Sequence, residues 1–221
     1  TRSATESDYA YRAVEAEGAH GSHVEAYELL GPIPHDRRKR DSERRAATIV
    51  FADLIGTDDI APDPTGLENE MGTLFDDLRA AVVEYGGIVN QYTGDGVMAL
   101  FGIPNAIEDA PKQALNAALR IREIVVRYAA EHQVPLSVHI GVNSGRVIAG
   151  SIGGSVRKSF TGVGDTVNMS ARIKEAAPAG EIHVGPETQR LTQQDFEFAA
   201  LGPRAFKGKS KPVQIYRLAS Q

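Results

Sequence analysis

From residue 46 onward the chain alternates between two hydrophobic periods, and that alternation leaves few folds open. Residues 46–52 run apolar as a strand. Residues 65–85 place Leu67, Met71, Leu74, Leu78, Val82 and Tyr85 at helical spacing, and Gly86-Gly87 ends that helix. Residues 88–92 and 97–101 flank Thr93-Gly94-Asp95-Gly96 and read as a hairpin. Residues 110–132 make a second long helix, with Leu115, Leu119, Ile124 and Val125 on its apolar face. Residues 136–142 and 146–152 read as a strand pair around Asn143-Ser144-Gly145. Residues 165–177 read as a third helix, and 182–184, 196–201 and 213–218 as strands. Strand, helix, hairpin, helix, strand predicts an α+β sandwich: a mostly antiparallel sheet with helices packed on one face.

Two of these strands carry an aspartate at an apolar boundary. Asp53 follows Thr48-Ile49-Val50-Phe51-Ala52, and Asp95 precedes Gly96-Val97-Met98-Ala99-Leu100-Phe101. A carboxylate held there serves either a hydrogen bond to a turn or a divalent cation. Two of them, on strands that can lie side by side, favour the cation. Mg²⁺ is commonly held by one or two carboxylates plus substrate phosphates. A pair of ions can stabilise both the attacking and the leaving oxygen of a phosphoryl displacement.

The chain has 221 residues, 42% of them hydrophobic, enough for one domain with a core and some extra. Its net charge of −5 argues against a general nucleic-acid binder. With no cysteine there is no disulfide framework and no thiol chemistry, and a reducing, cytoplasmic setting fits. No apolar run approaches the roughly 18 residues of a membrane span, and no signal peptide is visible. Thr1 in place of Met reads as a piece cut from something longer. Residues 1–45 read as a linker or the end of a preceding regulatory segment, and 46–221 as the main domain. Within the first part, residues 1–21 are polar with weak helical character at best. Residues 23–30 suggest a short strand, and Arg37-Arg38-Lys39-Arg40 with Arg44-Arg45 a solvated linker. Val24-Glu25-Ala26-Tyr27-Glu28-Leu29 echoes Val213-Gln214-Ile215-Tyr216-Arg217-Leu218, which suggests either the end of a preceding domain or a strand docked beside the last one.

Five blocks carry a family resemblance. They are Phe51-Ala52-Asp53-Leu54-Ile55-Gly56, the stretch from Thr93 to Gly102, Gly141-Val142-Asn143-Ser144-Gly145-Arg146-Val147, the stretch from Gly164 to Arg172, and Phe206-Lys207-Gly208-Lys209. In this order and spacing the chain resembles the catalytic domain of class III nucleotidyl cyclases. The resemblance implies a ferredoxin-like core that works as a dimer, with two sites at the interface. It implies conversion of a nucleoside triphosphate to its 3′,5′-cyclic monophosphate and pyrophosphate, with two divalent ions, Mg²⁺ or Mn²⁺. By resemblance Asp53 and Asp95 hold both ions, helped by a backbone carbonyl near Leu54. Asn168 orients the ribose and Arg172 stabilises charge on the α-phosphate. Arg146 contacts the phosphates from the metal-binding protomer, and Lys207 the β- and γ-phosphates from the other. One homodimer subunit would give Asp53, Asp95 and Arg146, and its partner Asn168, Arg172 and Lys207, so that a monomer has two half-sites and no activity.

The purine-reading positions depart from the family pattern. Adenylate-forming members usually carry Lys where this chain has Gln91, and Asp or Thr where it has Thr161. Guanylate-forming members usually carry Glu and Cys there. A Gln amide offers both a donor and an acceptor and can rotate, so Gln91 satisfies adenine with less discrimination than a lysine. The expectation is a cyclase that favours ATP and makes cyclic AMP. The alternatives are relaxed selectivity that also gives cyclic GMP, or a weakly active cyclase-like regulatory or dimerisation module. Residues 57–64 also depart, with added acids and two prolines where the family closes its phosphate site. Competing motifs fail. Gly153–Ser159 lacks the glycine a P-loop needs before its lysine, and the aromatic strand motif of an RNA-binding module is missing.

Overall fold

The computed structural model describes residues 9–17, 23–32, 43–57, 64–149, 151–152, 159–160 and 165–219. The chain divides into two units, Thr1–Asp41 and Ser42–Gln221. In the first, β1 (Tyr9–Glu17) pairs antiparallel with β2 (His23–Pro32), with a bulge between Ala10 and Tyr11. Residues 9–17 are therefore a strand where weak helical character was expected: a paired partner supplies the ladder that local propensity alone does not. The strand at 23–32 pairs with β1, and the C-terminal strand it echoes has other neighbours, given below.

The second unit is built around β3 (Glu43–Ile55). It continues through α1 (Pro64–Glu84), β4 (Ile88–Tyr92), β5 (Gly96–Phe101), α2 (Ala110–His132) and β6 (Ser137–Ala149). The short pair β7 (Ser151–Ile152) and β8 (Ser159–Phe160) follows, then α3 (Asp165–Glu175), β9 (Ile182–Val184), α4 (Pro186–Thr192), β10 (Phe198–Arg204) and β11 (Val213–Leu218). The seven-stranded sheet runs β10-β11-β9-β6-β3-β5-β4, with β6 and β9 its parallel pair. Within it, β6-β3-β5-β4 with α1 and α2 is the β-α-β-β-α-β ferredoxin-like frame. Strand β3 opens at Glu43, so Arg44 and Arg45, read as linker, stand in a strand, and Arg45 donates to the Pro104 carbonyl at 2.7 Å.

The two faces of β3 sort the core by the period-two rule. Val50, Ala52 and Leu54 point to the side where Met71, Leu74 and Leu78 of α1 and Leu115, Ile121 and Val125 of α2 are buried. Ala47, Ile49 and Phe51 point to the other, with Met98, Leu100 and Val147. Each fully buried aliphatic side chain contributes about 1.5–3 kcal/mol, which favours the α1–α2 face as the main core. Helix α3 packs on the opposite face, through Val167 and Ala171. Ser170 Oγ reaches the carbonyls of Ile49 and Gly141, both at 2.9 Å. The sandwich therefore has its long helices on one face, as expected, and one helix behind the sheet.

The strand pair expected around Asn143-Ser144-Gly145 is one uninterrupted strand, β6. Its turn-like residues are used sideways. Asn143 Nδ2 donates to the Thr166 carbonyl at 3.1 Å, and Ser144 Oγ shares hydrogen bonds with Thr48 and Thr188, each at 2.9 Å. A Cβ on Gly145 would run into Thr166. Helix α4 was not foreseen; Thr188, buried in it, completes that hydroxyl chain.

Candidate active site

Asp53 sits at position eleven of thirteen in β3, opposite Gly96 on β5 and His139 on β6. Asp95 sits at the β4–β5 tip, where Thr93 N–H meets the Gly96 carbonyl at 2.8 Å and Gly94 takes φ +75°. That tip is tied to β3: Leu54 N–H donates to the Asp95 carbonyl at 2.9 Å. Thr93 Oγ1 donates to Asp53 Oδ1 at 3.3 Å. The two carboxylates are thus brought together by a hairpin folded back on its neighbouring strand. Leu54 contributes its backbone here, and its side chain is buried in the core.

The electrostatics agree with that closeness. Burial, and then the charge of Asp53, hold the Asp95 carboxyl above the usual carboxylate range; a backbone hydrogen bond, Lys174 and His139 pull the other way. Gly96 is what makes room. A Cβ there would collide with Asp53 Oδ1 and the Ala52 carbonyl. Two hard oxygen donors, mutually repelling and part-buried in a cradle kept open by a missing Cβ, fit a divalent ion of the Mg²⁺ type. Among the described residues no group of three or more His, Cys, Asp or Glu side chains could hold a metal.

Two residues that the sequence reading missed, a lysine and a histidine, stand beside this pair. Lys174 Nζ is ion-paired with Asp53 Oδ2, with side chains only 13% and 15% exposed. His139, across the ladder from Asp53, bonds through Nδ1 to the Ala177 carbonyl at 3.1 Å. Arg146 is expected, by resemblance, to contact the phosphates from the same protomer. It pairs with Ala46, seven residues along the ladder from Asp53 and His139. At ~3.3 Å per residue that is about 23 Å. The Ser-Gly that seemed to aim Arg146 lies inside a straight strand.

A second group gathers on the far side of α3. Asn168 and Arg172 lie one turn apart on it. Phe206, Leu201 and Val213 pack against Met169, Ile173 and Ile215 and anchor the β10–β11 loop to the helix. In that loop Gly208 takes φ +78°, and a Cβ on it would stand 3.8 Å from Arg172 Nη2. Lys207 is exposed beside it, and Lys209 is ion-paired with Asp165. Arg172 and Lys174 are two residues apart, about 200° around the helix. The helix therefore gives Lys174 to its own chain's carboxylates and turns Asn168 and Arg172 away from them. Gln91 is exposed on β4, the edge strand of the sheet, beyond a register shift after Val89. Thr161, its expected companion, lies outside the described residues, as do residues 58–63.

Comparison with known proteins gives the family and the fold. Residues 40–220 match the adenylate and guanylate cyclase catalytic domain. The fold is similar to the adenylyl cyclase CyaB from P. aeruginosa at 28% identity and TM-score 0.73, over 81% of this chain and 96% of that one. It is similar to the guanylate cyclase domain of RhGC from Catenaria anguillulae, solved in complex with GTP, at 25% identity and TM-score 0.72, over 80% and 97%. An uncharacterized protein of Mycobacterium tuberculosis is 31% identical over 201 residues, which are 88% of this chain and 36% of that protein. The chain thus spans little more than a third of the length of such relatives.

Proposed function

The chain belongs to the adenylate and guanylate cyclase catalytic domain family, and we propose that it converts ATP to 3′,5′-cyclic AMP and pyrophosphate in sites shared by two copies of itself. The observation that carries this reading is the Asp53–Asp95 pair, held together by the Leu54–Asp95 and Thr93–Asp53 hydrogen bonds. Mg²⁺ or Mn²⁺ bound there would lower the pKa of the ribose 3′-hydroxyl and offset the triphosphate's charge. The 3′ oxygen then bonds to the α-phosphorus, the bond from that phosphorus to the pyrophosphate oxygen breaks, and the hydroxyl proton leaves. Asn168 of the second copy holds the ribose. Arg172 beside it donates to the α-phosphate oxygens as charge builds on them. Lys207 meets the β- and γ-phosphates. Gln91 and Thr161 read the purine, with adenine favoured and guanine incompletely excluded, because an amide presents both a donor and an acceptor. The remaining length of the relatives supports a regulatory segment outside this domain.

A second reading, a cyclase-like module with little turnover, is favoured by Lys174 standing on Asp53. One experiment separates the two: product formation from ATP and from GTP, each with Mg²⁺ and Mn²⁺, across protein concentration. The expected result is cyclic AMP in excess of cyclic GMP, a rate rising faster than linearly with protein, and no turnover from folded Asp53→Ala. Faster cyclic GMP formation would overturn the purine assignment. No product from folded dimer would leave the second reading standing.

A further inference from the structure

The ion pair between α3 and β3 has a construction that the reaction as proposed does not use. Lys174 and Asp53 are both largely buried, so their attraction is stronger than that of a solvated surface pair. The approach that brings them together is built into the backbone. Gly141 on β6 has no Cβ, and one placed there would collide with the Lys174 backbone nitrogen and the Ser170 carbonyl. Helix α3 is thereby pressed onto the sheet at the turn that carries Lys174. Ser170 Oγ fastens the same turn to the Ile49 and Gly141 carbonyls. An ammonium is a compact point charge on a flexible stem, small enough to sit where a hydrated ion sits and able to swing away. We propose that Lys174 is a tethered cation that occupies the Asp53–Asp95 pair until a divalent ion displaces it, and so sets the affinity of the metal.

This rests on the reading of the pair as a metal site. The helix is held by Ser170 and Gly141, so the lysine returns to the same oxygen whenever the ion leaves. The consequence is a site whose negative charge is partly offset when empty and which fills only at a higher metal concentration. Removing the ammonium leaves two repelling carboxylates, which any cation then relieves.

The test is Mn²⁺ binding, measured from the electron paramagnetic resonance signal of the free ion, with no nucleotide present. Wild type, Lys174→Met, Lys174→Gln and Lys174→Arg are compared after circular dichroism has shown each to be folded. A partly buried, hydrogen-bonded charge lost from the competition corresponds to Mn²⁺ bound about tenfold more tightly by Lys174→Met and Lys174→Gln. Lys174→Arg keeps the charge and stays close to wild type. On the wild type alone, the Lys174 side-chain NMR resonances move as Mg²⁺ is added. Wild type that binds Mn²⁺ while the neutral variants bind it no more tightly, or lysine resonances unmoved at saturating Mg²⁺, overturns the proposal and leaves the metal site intact. If no folded variant and no wild type binds Mn²⁺ at millimolar concentration, the metal reading falls and this proposal with it.

Discussion

At the scale of single residues, the candidate site trades stability for charge. Asp95 is held above the usual carboxylate range first by burial and then by Asp53. An acid whose folded pKa is raised binds more protons folded than unfolded between its ordinary value and the raised one, so stability falls as pH rises through that window. At pH above its ordinary value the raised Asp95 therefore costs stability. Asp95→Asn is expected to raise the melting temperature of the metal-free protein at pH 7 by calorimetry while abolishing metal-dependent product formation, the usual exchange at a functional position. His183 shows the opposite sign. It is 1% exposed, its Nε2 meets Glu181 Oε2 at 2.6 Å, and its Nδ1 is buried with no hydrogen-bond partner among the described residues. Burial pushes the imidazole below its ordinary value, against the pull of Glu181. The unfolded chain then binds the extra proton first, so stability is complete above about pH 6.5 and is lost as pH falls from there toward the depressed folded value. Glu181, held low chiefly by its hydrogen bond to His183, acts in a separate window below its ordinary value. Urea midpoints at pH 5.5 and 7.5 should differ in wild type, lower at 5.5, and differ less in His183→Leu.

At the scale of elements, α3 is the part on which both halves of the site depend, and its seat is Gly141. Gly141→Ala puts a methyl group against the helix backbone at Ser170 and Lys174, and backbone has no rotamer with which to give way. Overpacking of this kind costs typically 1–3 kcal/mol, so a melting temperature lower by several degrees is expected. Weaker nucleotide binding should accompany it, because Asn168 and Arg172 ride on the same helix. A melting temperature equal to wild type would show that α3 is not pressed onto β6 as described. The helix itself was legible, read at 165–177 against Asp165–Glu175 in the structure. Its side of the sheet was not, because hydrophobic period gives a buried face but not the neighbour that buries it. The same limit explains β6. Asn143, Ser144 and Gly145 have turn chemistry locally, and only contacts with Thr48, Thr166 and Thr188 show why they stand in a strand. Asp53 and Asp95 were legible because a carboxylate at an apolar boundary is conspicuous. The cross-strand neighbour of Asp53 was not legible, because one sequence does not specify register; the ladder puts His139 there. Lys174 had a signal that went unread: it lies one turn beyond Ser170, on the flank of the helix that meets the sheet.

At the scale of the whole molecule, the proposed function assigns the two groups of candidate residues to different copies of the chain. Lys174 meets Asp53 within one chain, whereas on the same helix Arg172 lies about 200° and Asn168 about 240° around from Lys174. The depression lined by Arg122, Glu181 and Arg217, of about 250 Å³, contains none of them. Surface-facing half-sites of this kind fit a two-fold dimer, in which each interface contact occurs twice and each site draws on both chains. That arrangement makes a prediction that neither chain alone can satisfy. Asp53→Ala destroys the carboxylate half of a site and Arg172→Ala the other half, so each homodimer is expected to be inactive. Mixed in equal amounts and allowed to exchange, they form heterodimers in which one site has both defects and the other has neither. With random pairing, half the dimers are mixed and each has one intact site of two, so about a quarter of wild-type turnover should return. Product formation from the two pure variants and their mixture measures this directly, with size-exclusion chromatography to show that both still dimerise. If Arg172 instead served the carboxylates of its own chain, every intact Asp53 in the mixture would be joined to a missing Arg172, and no activity would return.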